Sequence, residues 1–140
     1  MRKIKEIIVH CADTREGKAF TVADIDRWHR ERGWNGCGYH YVITIDGKVE
    51  PGRPVEQVGA HCKNRNKNSI GICYIGGRDL EGKIKDTRTD AQKDAMRNLI
   101  HDLMQRYDIS IENVRCHYEF DTRACPSFSV QKLHKEIIEA

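Results

Sequence analysis

Lys3-Ile4-Lys5-Glu6-Ile7-Ile8-Val9-His10-Cys11 is the stretch from which the fold can be worked out. Its β-branched residues predict a strand, and the near-continuous apolar run indicates a strand that is buried on both faces. Such strands lie inside sheets that helices cover. The sequence therefore predicts an α/β fold organised around its first strand.

The rest of the chain continues this pattern, with turn and capping signals between the periodic segments. The elements are a helix between Thr21 and Gly33, a strand at 39–45 that returns across Asp46-Gly47, a strand at 69–75, a helix from Thr89 to Tyr107, a short strand at 113–117 and a last helix after Ser129. This order predicts a single domain spanning residues 1–140, in which a mixed β-sheet is flanked by helices.

Composition excludes several classes of partner. The net charge of +3 is spread along the chain, so we expect no nucleic-acid-binding face. No apolar run approaches the roughly 18 residues of a membrane span, so we expect no membrane insertion. The apolar part of the N-terminus, Ile7-Ile8-Val9, is too short for a signal peptide. We therefore expect synthesis in the cytoplasm without an export signal.

The chain contains six cysteines but no C-x-x-C pair, which argues against a zinc ribbon or a thioredoxin-like site. Without export they are expected to stay reduced, and most should be small buried residues. Cys125 is the exception, because it follows His117 by eight positions across a polar segment.

Imidazole and thiolate are preferred zinc ligands, and a catalytic zinc needs three protein ligands and one open position. His10 and His117 each end a predicted strand before a loop, where α/β proteins place functional groups. The set His10, His117 and Cys125 is therefore a candidate metal site. The chain has seven histidines, so spacing alone leaves both a metal site and ordinary structural histidines open.

Segments spread over residues 4 to about 135 resemble, in order, the zinc-dependent N-acetylmuramoyl-L-alanine amidases of the phage lysozyme type, relatives of the peptidoglycan recognition proteins. The segments are Ile7-Ile8-Val9-His10, Gly38-Tyr39-His40-Tyr41, Val58-Gly59-Ala60-His61, Asn68-Ser69-Ile70-Gly71-Ile72-Cys73 with Gly76-Gly77, Thr89-Asp90-Ala91-Gln92, His117-Tyr118-Glu119 and Ala124-Cys125-Pro126-Ser127-Phe128.

The resemblance implies that His10, His117 and Cys125 bind a single Zn²⁺ and that Tyr39 is catalytic. It also implies a catalytic lysine two positions before the cysteine, where this chain has Arg123. A guanidinium can stabilise negative charge but is a poor proton donor, so only the first role is expected of Arg123.

The implied reaction is hydrolysis of the amide that joins N-acetylmuramic acid to L-alanine in peptidoglycan. His61 is expected to contact the substrate. Asn66 either lines the groove or forms a turn, and Trp34 either stacks on a sugar ring or packs in the core. The implied role is that of a monomeric phage or prophage endolysin acting on the bacterial cell wall.

Three alternatives to a catalytic zinc amidase remain open. The first is a module that binds peptidoglycan without cutting it, as some relatives do, typically after loss of the cysteine ligand. The second is a regulator of RNA polymerase, as one phage relative is. The third is a structural zinc, which would need a fourth ligand; Cys116 is the nearest candidate, although it points to the face opposite His117. The intact set of three ligands favours the enzyme.

Overall fold

The computed structural model describes residues 2–139, which form one domain built on a five-stranded mixed sheet. Its strands are β1 (Glu6–Cys11), β3 (Tyr41–Ile43), β4 (Val49–Pro51), β5 (Ser69–Tyr74) and β7 (Val114–Cys116). Their order in the sheet is β4-β3-β5-β1-β7, and only β4 runs antiparallel to its neighbour. The predicted α/β fold with a mixed sheet flanked by helices is confirmed.

β1 lies between β5 and β7 and pairs with both in parallel. All six of its residues are buried, as the apolar run predicts. Parallel neighbours place their C-terminal ends at one edge of the sheet, so the residues that follow β1 and β7 meet there. This edge carries the candidate site.

Three helices cover the sheet: α1 (Val22–Glu31), α2 (Asp90–Tyr107) and α3 (Val130–Ile138). Their N-termini are capped by Thr21, Thr89 and Ser129, as predicted. α2 and α3 pack on one face of the sheet over a large apolar core, while α1 packs on the other face over a smaller one. The two cores explain why the central strands are apolar on both sides.

Several predicted boundaries differ from the structure. The strand predicted at 39–45 is shorter, because the backbone bends at residues 38–40 and turns at residues 45–46. Within the bend, His40 Nδ1 accepts the Gly71 amide proton. His117 begins a 3-10 turn (His117–Glu119) instead of ending β7. A two-stranded sheet of β2 (Thr14–Arg15) and β6 (Gly77–Arg78) was not predicted, because two-residue strands have no apolar periodicity.

Between residues 2 and 139, no helix has the length and apolar character needed to cross a membrane. All six cysteines are free thiols. Five of them are buried, and Cys125 is partly exposed, in agreement with the sequence analysis.

Candidate metal centre

His10, His117 and Cys125 converge at the edge where β1 and β7 end. His10 is near the end of β1, His117 follows β7 directly, and Cys125 lies in the loop before α3. Their ligand atoms all lie within 4.8 Å of one another. Within residues 2–139 this is the only group of three or more His, Cys, Asp or Glu residues whose donor atoms come this close.

The Cys125 loop is fixed by hydrogen bonds from three directions. The Cys11 amide donates to Cys125 Sγ at 3.1 Å, and the Tyr118 amide donates to the Cys125 carbonyl at 2.8 Å. The Tyr74 hydroxyl donates to the Pro126 carbonyl at 2.7 Å. The thiol is therefore held by β1, β5 and the turn after β7, which limits its movement relative to the two histidines.

The protonation states suit a metal ligand set. Burial, followed by the neighbouring His61 and His117, lowers the pKa of His10 well below its usual value. Burial also lowers the pKa of His117, with Asp121 opposing and Arg123 adding to the effect. Both imidazoles are thus neutral at pH 7, the form that binds metals.

The Cys125 thiol needs a neighbouring cation to lose its proton at neutral pH. The Cys11 thiol, together with burial, raises the pKa of Cys125, so the thiolate requires a positive partner such as a metal ion. Two neutral imidazoles and one cysteine fit Zn²⁺, and three protein ligands are the number found in catalytic zinc sites.

A cleft of about 450 Å³ opens beside the ligand cluster. Tyr39 and Arg123 line it together with His117 and Cys125, so the two residues expected to be catalytic lie in the same cleft as the candidate ligands. The Tyr39 ring centroid is 5.0 Å from that of His10. Asp13, Arg78 and Ile84 also line the cleft.

The three residues expected at the substrate are not among the residues that line this cleft. His61 is buried between His10 and Ser69. The Asn66 carboxamide accepts the amide protons of His61 and Cys62, both at 2.9 Å, and so stabilises the turn there. Trp34 packs on the ring of His29 with a centroid distance of 4.6 Å.

One contact at the candidate metal centre was not predicted from the sequence: Asp121 Oδ2 lies 3.3 Å from His117 Nε2. No helical periodicity signals it, because the 3-10 turn ends at Glu119. Glu119, in contrast, accepts the Cys116 amide proton at 2.8 Å and pairs with Arg115.

Cys116 packs in the larger apolar core, on the far side of β7 from the ligands. It therefore cannot serve as a fourth ligand, which removes the geometric basis for a closed structural zinc site.

Residues 1–128 match the family model described as N-acetylmuramoyl-L-alanine amidase. The chain belongs to this amidase family. Its sequence is 41% identical over 126 residues to the endolysin of Escherichia phage T7, covering 90% of this chain and 82% of the relative. The family and the hydrolase activity that the sequence resemblance implied are thus confirmed.

Solved structures give the same assignment. The fold is similar to that of the N-acetylmuramoyl-L-alanine amidase LysC from Clostridium intestinale, with a TM-score of 0.83, 27% identity, and coverage of 99% of this chain and 87% of that one. It is also similar to Drosophila PGRP-LB, with a TM-score of 0.77, 26% identity, and coverage of 98% and 81%. The amidase assignment and the geometry of the cluster agree.

Proposed function

We propose that this amidase is a zinc-dependent endolysin that cleaves the bond between N-acetylmuramic acid and L-alanine in bacterial peptidoglycan. The observation that supports this most directly is the cluster of His10, His117 and Cys125 beside a cleft lined by Tyr39 and Arg123. Such a cluster offers three ligands and leaves a coordination position for water or substrate.

Zinc, when bound, supplies a Lewis acid and lowers the pKa of a bound water to about 7, so that a nucleophile is available at neutral pH. The contribution of the chain is to hold the three ligands in place through the β1–β7 edge and the Cys125 loop. Both histidines enter this site already neutral, because burial lowers their pKa values.

Tyr39 is proposed to donate a hydrogen bond to the oxyanion that develops on the scissile carbonyl. Burial, and then the thiols around it, raise the pKa of Tyr39 well above its usual value. Its hydroxyl therefore keeps its proton at neutral pH and can act as a donor. The ring is confined between His10 and His29, which orients the hydroxyl.

Arg123 is proposed to supply positive charge at the same oxyanion. It is exposed on the cleft wall, two residues before Cys125. A guanidinium does not lose its proton in proteins, so Arg123 attracts the developing charge without transferring a proton. Arg123 differs in this respect from the lysine that the family resemblance implies at this position, since a lysine could also transfer a proton.

All the proposed site residues come from a single chain, so we propose that the protein acts as a monomer with peptidoglycan as its macromolecular partner. Asn66 is proposed to shape the turn beside the groove, because its carboxamide accepts two backbone amide protons. Trp34 packs on His29 but remains 38% exposed, so it is proposed to stack on a sugar ring of the substrate. A sedimentation measurement showing a stable dimer as the active species would contradict the monomer.

The proposal is tested by incubating the zinc-loaded protein with purified cell walls and measuring newly released L-alanine amino termini. The wild type should release them, and Cys125→Ser should lose both zinc and activity. Cys116→Ala is the matched control, because it also removes a cysteine thiol. Cys116 precedes His117 in sequence, but its side chain is buried in the apolar core. It should keep zinc and activity. A wild type that binds cell walls and releases no amino termini would instead be a binding module.

A further inference from the structure

His61 connects the candidate ligand His10 to the centre of the sheet. His10 Nε2 lies 2.8 Å from His61 Nδ1, and His61 Nε2 lies 3.1 Å from Ser69 Oγ. All three side chains are buried, with at most 8% of each residue exposed, so water does not readily replace these partners. The contacts form a line from the metal centre to the first residue of β5.

The position of His61 is fixed by its surroundings. Its amide donates to Asn66 Oδ1 at 2.9 Å, which holds the turn that carries it. Gly71 leaves the space that the imidazole fills, because a Cβ there would lie 2.6 Å from His61 Cγ. The ring is therefore a packed part of the sheet surface and not a mobile loop side chain.

A neutral histidine binds a metal through its unprotonated ring nitrogen, while the other nitrogen carries the proton and usually donates it to a neighbour. Because His61 faces Nε2 of His10, Nδ1 is the nitrogen of His10 left for a metal. His61 Nδ1 would then accept from His10, and His61 Nε2 would donate to Ser69 Oγ. With this direction of donation, each ring nitrogen of His10 and His61 has a partner: the metal, the other histidine or Ser69 Oγ.

We propose that His61 is a positioning residue that holds His10 in the Nε2-protonated form and directs its Nδ1 towards the metal. This inference rests on the proposed zinc site. It replaces the expected contact of His61 with substrate, since both ring nitrogens already have protein partners. The corresponding partner of His117 is Asp121, which is more distant and 39% exposed, so His10 is the more firmly oriented ligand.

The tautomer can be read directly in the wild-type protein by long-range proton–nitrogen NMR correlation of its histidine rings. We expect His10 to be protonated at Nε2 in both the metal-free and the zinc-loaded protein, and its Nδ1 resonance to shift on zinc binding. Protonation of His10 at Nδ1, or zinc binding through its Nε2, would overturn the proposal. Because this test uses only the wild-type protein, it does not depend on the folding of any variant.

Two substitutions measure what the contact contributes. His61→Leu removes the acceptor, and we expect zinc affinity, measured by chelator competition, to fall about 10- to 100-fold. His61→Asn places an amide oxygen near the position of Nδ1 and should keep the affinity within a few-fold. His134→Leu is the control, because it removes a partly buried histidine that bonds the Val114 carbonyl and not a candidate ligand, and it should bind zinc normally.

The outcomes separate this inference from the proposed function. If the wild type binds no zinc, the proposed function fails, and the inference fails with it. If the wild type binds zinc but releases no amino termini, the catalytic proposal fails, while the NMR tautomer and the zinc affinity of the variants still test the positioning role. If the wild type binds zinc and cleaves while a folded His61→Leu binds zinc equally tightly, only the positioning role is overturned. Circular dichroism of each metal-free variant establishes that it is folded.

Discussion

The backbone amide of Cys11 donates a hydrogen bond to Sγ of Cys125 at 3.1 Å across 114 positions of sequence. The bond ties the C-terminal end of β1 to the loop that precedes α3, so two segments that are distant in sequence meet at the candidate metal centre. An N–H group directed at sulfur favours the thiolate once a metal is bound. The geometry of the site therefore depends on the assembled sheet and not on any one segment.

Tyr39→Phe should lower kcat by about 10²- to 10³-fold, because it removes one donor to the developing oxyanion. Zinc content should not change, since the Tyr39 hydroxyl is not one of the proposed ligands. Amino-terminus release and metal analysis check both parts. Tyr41→Phe is the matched control, because Tyr41 is a nearby tyrosine on β3 that packs against the other face of the sheet, and it should be fully active. Near-normal activity of Tyr39→Phe would contradict the donor role.

Arg123→Ala should reduce kcat by roughly 10- to 100-fold at unchanged zinc affinity, because a positive charge near the oxyanion is lost. Arg123→Lys restores the residue that the family resemblance implies and should be at least as active as the wild type. Arg27→Ala removes an exposed arginine on α1 that pairs with Asp24, and it should have no effect on rate. If Arg123→Ala cleaves at the wild-type rate, Arg123 has no part in the reaction.

Arg88→Met should destabilise the protein by about 3–5 kcal/mol, measured by denaturant unfolding without metal. The buried Arg88 guanidinium bonds Asp86 at 3.0 Å and Glu136 at 2.8 Å, and it lies 3.7 Å from the centre of the Phe128 ring. Its loss removes the Arg88 partner of Glu136 and one of the partners of Asp86, which keeps Lys132 at 2.8 Å. It also loosens the segment that follows Cys125, so zinc should bind more weakly.

Arg97→Met is the control for this prediction. Arg97 pairs with the exposed Asp94 on α2, and such pairs contribute little, so the change should stay within about 0.5 kcal/mol. Equal destabilisation by the two variants would show that the Arg88 network has no special role.

His29 should make stability depend on pH between about 6.5 and 4. Burial, then the charges of Arg32 and Arg53, lower its pKa to about 4, and its Nδ1 accepts the Gly38 amide proton at 2.8 Å. The unfolded chain binds more protons than the folded protein between these two pH values. The contribution of His29 to the free energy of unfolding is therefore fully present above pH 6.5 and is lost as the pH falls towards 4. The expected loss from this group is on the order of 3 kcal/mol.

His29→Asn keeps an acceptor near Nδ1 but cannot be protonated. Unfolding titrations at several pH values should therefore show a shallower loss of stability for this variant than for the wild type. Parallel pH profiles for the two proteins would rule out His29 as the source.

Some parts of the structure follow from local sequence signals. The apolar run in β1 and the capping residues Thr89 and Gln92 specify a strand and a helix without reference to the rest of the chain, because periodicity and capping act over a few residues. The short strands β2 and β6 have no such signal, since their pairing depends on where the loops after β1 and β5 are brought together.

The sequence by itself determined the α/β class, the order of its main elements and, through family resemblance, the three candidate ligands. Only the tertiary structure decided which neighbours those ligands have. His61 and His10 are 51 positions apart, and Asp121 contacts His117 through the turn that follows β7. The physical reason is that hydrogen bonds between distant segments depend on strand register and packing, which no local pattern of residue types encodes. The contact between Cys11 and Cys125 likewise exists only because β1 lies beside β7.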